Sequence, residues 1–108
     1  MSRTQAAAYL RFAAAQTRRD IVRLGGPEAR VSIIGLAISP RLGLESTDVQ
    51  VKIDGAAQPN IEAIAIAFET AQARVEKGET DRFSLLVYRE STNQYIEAVI
   101  VIEDDPAP

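Results

Sequence analysis

Two similar stretches, RVSIIGLAIS (residues 30–39) and RFSLLVYRES (residues 82–91), carry most of the information about the fold. One Arg and two Ser recur at the same places in both, 52 positions apart, with apolar residues between them. A stretch of helical spacing precedes each copy, and the two helical stripes superpose at an offset of 51 positions. The pattern predicts two αββ units in succession. Duplication of an ancestral unit and chance similarity both explain it.

Apolar and small residues at helical spacing predict helices over residues 4–24 and 61–77. The sequence GGP at 25–27 ends the first helix, Asn60 is a good N-cap for the second, and Gly78 stops it. The predicted buried stripes are Ala6, Leu10, Ala13, Ala14, Thr17, Ile21 and Leu24 in the first helix, and Ile61, Ile64, Ala65, Phe68, Ala71 and Val75 in the second.

Four segments, at residues 31–38, 48–54, 83–89 and 95–102, are predicted to be β-strands. The second, DVQVKID, alternates apolar and polar residues, and DGAAQPN (residues 54–60) is predicted to be a turn and connection. The sequence therefore predicts a single α+β domain over residues 1–108, of order α-β-β-α-β-β, with two helices on one face of a four-stranded, mainly antiparallel sheet. The first strand pair covers residues 31–54, the second hairpin covers 83–102, and an acidic, solvated tail covers 103–108.

The composition removes most catalytic chemistry. The chain has no Cys and no His, which excludes Cys–His and Ser–His nucleophiles and zinc sites built from these residues. No glycine-rich phosphate loop follows a strand. We therefore expect a protein that is not an enzyme and has no catalytic residues, no cofactor and no metal site. No stretch is long and apolar enough to span a bilayer. We expect a cytoplasmic protein, or a virion protein if a phage encodes it.

Charge is unevenly distributed along the chain. Residues 1–30 have a net charge of +4 and residues 31–108 a net charge of −7. Four residues of the first helix, Arg11, Arg18, Arg19 and Arg23, form a candidate contact for a polyanion. The alternative is a domain balanced internally, in which the basic helix lies near an acidic sheet. No helix-turn-helix pattern follows, so nucleic acid is the weaker interpretation.

The last strand is apolar on both faces, which two helices on one side cannot cover. Ile96, Ala98, Ile100 and Ile102 form one row, and Tyr95, Val99 and Val101 form the other. The sequence does not show which row meets the helices, because a shift of one residue exchanges them. Phe12 and Ile66 lie opposite the predicted helix stripes. The candidate interface residues are therefore Phe12, Ile66, Tyr95, Ile96, Val99, Ile100, Val101 and Ile102.

Three functions remain open from the sequence. The leading one is a small protein that acts by oligomerisation or docking, a bacterial or phage structural or assembly component that binds itself or another protein. The second is a small acidic inhibitor or regulator that blocks another protein. The third is nucleic-acid binding through the basic first helix. Tyr88 and Tyr95, which flank the second hairpin, are predicted to pack across the strands rather than to form a stacking platform.

Overall fold

The computed structural model describes residues 1–23, 25–26 and 49–106. Its elements are α1 (Arg3–Arg23), β1 (Val49–Ile53), β2 (Ala56–Ala57), α2 (Ile61–Glu76), β3 (Arg82–Arg89) and β4 (Gln94–Val101). The four strands form an antiparallel sheet of order β2-β1-β3-β4, and the two helices pack together. The α+β class and the order α-β-β-α-β-β are confirmed. The strand predicted over residues 31–38 lies outside the described residues, and so does the whole stretch 30–39 that resembles residues 82–91.

The connection after β1 contains a strand that the sequence prediction missed. Asp54 and Gly55 both have positive φ angles, of 49° and 80°, and they join Ile53 directly to Ala56 in an antiparallel pair. An Asp-Gly pair of this kind makes the tight hairpin turn whose twist matches that of the flanking strands. The prediction of a simple connection over residues 54–60 is therefore wrong for Ala56 and Ala57, which form β2.

The strict alternation predicted for residues 48–54 is interrupted by a register shift. Val49 is opposite Tyr88, but Ile53 is opposite Leu85, and the irregularity falls between Gln50 and Lys52. Val49 and Ile53 are four residues apart, so their partners would lie on one face of a regular neighbouring strand. Tyr88 and Leu85 lie on different faces of β3, so the alternation of β1 is interrupted between them. The prediction holds at the end of β1, where Ile53 is buried and Lys52 is exposed.

The core lies between the helices and one face of the sheet. All six residues of the predicted α2 stripe are buried, and α1 buries Ala6, Leu10, Ala13, Ala14 and Thr17 as predicted. Ile21 is only partly buried, and Leu24 lies outside the described residues. The strands and the residue that follows β4 contribute alternate residues to the same core, listed here in chain order: Ile53, Phe83, Leu85, Val87, Ala98, Ile100 and Ile102. Both helices therefore cover the same face.

The two ends of the described chain are bound to each other. Ser2 and Glu103 form an isolated parallel bridge, and the main chain of Glu103 bonds to Met1 and Arg3. Ser2 and Gln5 cap α1 reciprocally, since each backbone N–H donates to the side chain of the other. Residues 103–106 of the predicted acidic tail are exposed, as expected, but they are not a free solvated segment. Their contacts bind them to the start of α1.

Arg3 connects three parts of the molecule. Its guanidinium donates to the carbonyl oxygens of Val75 and Thr80 at 2.9 and 2.8 Å, and it forms an ion pair with Asp104 at 3.0 Å. Val75 lies in the last turn of α2, where its carbonyl also accepts from the backbone N–H of Gly78, and Thr80 lies in the loop between α2 and β3. Asp105 accepts hydrogen bonds from the backbone and hydroxyl of Thr4, which lower the pKa of its carboxyl.

Candidate interaction surface

The face of the sheet opposite the helices is not covered by either of them. We call it the open face, and it is formed by Lys52, Arg82, Ser84, Leu86, Tyr88, Tyr95, Glu97, Val99 and Val101. The antiparallel register sets these residues side by side in rows that cross the strands. From one end to the other, the rows on β3 and β4 are Tyr88 with Tyr95, Leu86 with Glu97, Ser84 with Val99, and Arg82 with Val101.

The open face carries exposed apolar side chains next to its charged residues. Tyr95 and Val101 are 68% and 61% exposed, and Leu86 and Val99 between them are partly exposed. Of the two rows named from the sequence, the structure places Ile96, Ile100 and Ile102 towards the helices. Ile100 and Ile102 are buried and Ile96 is partly buried against the core. These three residues are therefore not interface candidates.

The two tyrosines at one end of the open face pack against each other. Tyr88 and Tyr95 are directly opposite in the β3–β4 register, and their ring centroids are 5.2 Å apart in a tilted arrangement. The Tyr88 hydroxyl also donates to the side-chain oxygen of Asn93 in the hairpin turn. The predicted cross-strand packing is confirmed. A pair of rings packed in this way adds stability to the hairpin and presents a rigid apolar edge.

A concavity of about 410 Å³ lies beside the other end of β3. It forms because β1 stops at Ile53 and the chain turns away at Asp54, which leaves the start of β3 without a strand on that side. Asp54 stays attached, since its carboxylate accepts from the backbone N–H of Ser84 at 2.9 Å. The lining residues are Asp54, Arg74, Thr80, Arg82, Phe83, Ser84 and Glu97.

The basic residues of α1 bind mainly to carboxylates of the same chain. Arg18 donates to Glu62 at 2.8 Å and to Glu69 at 2.6 Å, and Arg11 pairs with Glu76 at 3.1 Å. The hydrogen bonds from Arg18 to Glu69 and Glu62 raise the pKa of its guanidinium. The pKa of Glu76 is lowered by a hydrogen bond from Gln72 and then by Arg11. The basic helix therefore lies against an acidic helix, α2, and not against an acidic sheet.

The remaining polyanion candidates are Arg19 and Arg23. Arg23 pairs with Asp20 one turn earlier, at 3.0 Å. Arg19 is exposed, and it has no ion pair with another residue of the described part. A groove for a polyanion needs several unpaired cations on one surface. Because three of the four arginines are neutralised within the chain, the ion pairs count against nucleic-acid binding by α1. They also reduce the acidic surface on which an inhibitory role would rest.

The helices expose isolated apolar side chains. Phe12 and Ile66 are exposed, as expected from their positions opposite the core stripes, and Val22 near the end of α1 is also exposed. Val22 was not singled out from the sequence. Single exposed apolar residues are common on protein surfaces, so none of these three defines a site. The open face differs because its apolar residues are contiguous across two strands.

Within residues 1–23, 25–26 and 49–106, no group of three or more acidic residues is arranged to hold a metal ion. In the same residues, neither helix has the length and apolar character needed to cross a membrane. No family model, curated protein or solved structure matches this chain.

Proposed function

We propose that this protein is not an enzyme and acts by binding protein through the open face of its sheet. The observation that carries the proposal is the exposure of Tyr95 and Val101 beside Leu86 and Val99, on a face that the helices leave uncovered. The proposed role is that of a small bacterial or phage structural or assembly component, in which the association is itself the function.

Energetic considerations support this role. Burying a large apolar side chain is worth roughly 1.5–3 kcal/mol, and the open face keeps several such side chains in contact with water. The core is formed without them, because the buried residues of both helices already pack against the other face of the strands. An exposed contiguous apolar patch on a sheet is typical of an interface. Apolar side chains spread over two strands, with a packed pair of tyrosines at one end, suit a protein partner better than a small ligand.

Site-specific photo-crosslinking tests the proposal without assuming what the partner is. The photoreactive residue p-benzoylphenylalanine is introduced at position 101, on the open face, and separately at position 22, on α1. The protein is then irradiated inside the organism that encodes it. Both positions hold exposed valines, so position 22 is a matched control.

We expect a discrete higher-mass adduct from position 101 and none from position 22. Absence of an adduct at position 101 would overturn the proposal. A dominant adduct at position 22 would instead identify the helical surface as the interface and would equally contradict a role for the open face. Mass spectrometry of the adduct from position 101 identifies the partner.

A further inference from the structure

One row of the open face carries a positive charge, an apolar residue and a negative charge side by side. Lys52 on β1 is opposite Leu86 on β3, and Leu86 is opposite Glu97 on β4. Lys52 and Glu97 are therefore separated by two strand spacings, about 10 Å, with Leu86 between them. Both side chains are exposed, and neither forms an ion pair with any other residue that the structure describes.

This row is complementary to itself under one particular two-fold rotation. When the axis runs parallel to the strands above Leu86, the rotation exchanges the β1 side of the sheet with the β4 side. It sets Lys52 opposite the partner's Glu97, Glu97 opposite the partner's Lys52, and Leu86 opposite the partner's Leu86. It also brings Arg82, further along β3, towards the partner's Arg82, so that one like-charge contact stands against two contacts between opposite charges. An axis perpendicular to the strands would instead oppose like charges, Lys52 to the partner's Lys52 and Glu97 to the partner's Glu97. Like charges in direct opposition are destabilising.

From this complementarity we infer that the open face binds a second copy of this chain, with the strands of the two sheets aligned and two reciprocal Lys52–Glu97 pairs across the interface. The inference rests on the proposed function and names its partner. Two sheets packed face to face keep their strand directions within about 30° of each other, which agrees with an axis along the strands. The interface is isologous, so each contact occurs twice.

Reversing the charges of Lys52 and Glu97, first singly and then together, tests the arrangement. Lys52→Glu and Glu97→Lys are each made alone, and the double variant Lys52→Glu/Glu97→Lys is made in one chain. Lys77→Glu and Glu90→Lys are the matched controls, because both residues are exposed and lie off the open face. Molar mass is measured by size-exclusion chromatography with light scattering, and far-UV circular dichroism confirms folding.

We expect the wild type and both controls to be dimeric. Each single reversal should weaken the dimer by roughly a hundredfold, because it creates two repulsive contacts in a partly desolvated interface. The double variant should dimerise again. A mixture of the two single variants, one of them carrying an affinity tag, should form a heterodimer, since every Glu then faces a Lys.

The outcomes separate this inference from the proposal on which it rests. Single reversals that stay dimeric, or single variants that become monomeric and are not rescued by mixing, would overturn the aligned arrangement. A monomeric wild type, together with an adduct from position 101 to a different protein, would overturn the second copy as partner and leave the open face as the binding surface. A monomeric wild type with no adduct at position 101 would overturn both.

Discussion

Ile100 and Val101 are neighbours in β4 whose side chains lie on opposite faces of the sheet, so the same substitution should have opposite consequences at the two positions. Ile100 is 5% exposed and belongs to the core under the helices, whereas Val101 is 61% exposed on the open face. We expect Ile100→Asp to leave little or no folded protein. We expect Val101→Asp to remain folded and to lose the association that the open face provides.

The expected magnitude follows from what surrounds each side chain. Removing the Ile100 side chain forfeits about 1.5–3 kcal/mol of apolar burial. A carboxylate at this position would enter an apolar cluster with no cation, which adds a penalty of several kcal/mol. The total loss of roughly 5 kcal/mol or more is as large as the free energy of unfolding at the lower end of the usual range for a small domain, about 5–15 kcal/mol. Substitution at the exposed position usually changes monomer stability by no more than about 0.5 kcal/mol.

Urea unfolding followed by far-UV circular dichroism measures both effects. With a slope of about 1–3 kcal/mol per molar urea, Ile100→Asp should lower the midpoint by about 2 M or abolish the transition. Ile100→Val is the control, with an expected cost of about 0.5–1.5 kcal/mol. Each curve is recorded at two protein concentrations, because association makes the midpoint depend on concentration. A wild-type midpoint for Ile100→Asp, or an equal loss for Val101→Asp, would refute this assignment of faces.

Three further predictions concern the ends of elements. Arg3→Met should lower the free energy of unfolding by about 1.5–3 kcal/mol in a urea titration, because the carbonyls of Val75 and Thr80 lose a charged donor. Gly55→Ala should cost about 1 kcal/mol in the same assay through its positive φ alone, since no atom crowds the added methyl group. Asp105→Asn should lower the urea midpoint at pH 7, and its difference from the wild type should shrink as the pH is lowered below 3.8. The Thr4 hydrogen bonds lower the carboxyl pKa, so their stabilisation is present above its ordinary value of 3.8 and lost as the pH falls through the folded-state value.

Local periodicity was enough to predict the helices. All six residues of the α2 stripe were identified because a surface helix packed on one side repeats its buried residues at fixed spacing. The β1–β2 hairpin was missed although the Asp54–Gly55 signal was present, because two alanines do not show the alternation expected of a strand. The bulge in β1 has no counterpart in the sequence pattern. Register shifts depend on the neighbouring strand as well as on the strand itself.

The joined ends of the chain could not be predicted from local patterns. The contacts of Arg3 with Asp104 and of Thr4 with Asp105 link residues that are 101 positions apart. A run of acidic residues at a terminus is normally solvated, and nothing in its spacing reveals a partner at the other end. The pairing of Arg18 with Glu62 and Glu69 was missed for a similar reason. The acidic residues of α2 were not assigned to a helix face opposite α1.

Glu97 is the residue that decides which face of β4 meets the helices, a choice that the apolar residues of the two rows leave open by themselves. The row of Tyr95, Val99 and Val101 includes position 97, so burying that row under the helices would also bury a carboxylate. An unpaired buried charge costs more than the exposed apolar side chains of the same row forfeit. The other row contains no charged residue between Ile96 and Ile102 and can be buried without penalty. The Glu97 carboxylate keeps the open face out of the core of a single chain. It does not keep that face out of an interface, because there the partner's Lys52 can neutralise the carboxylate.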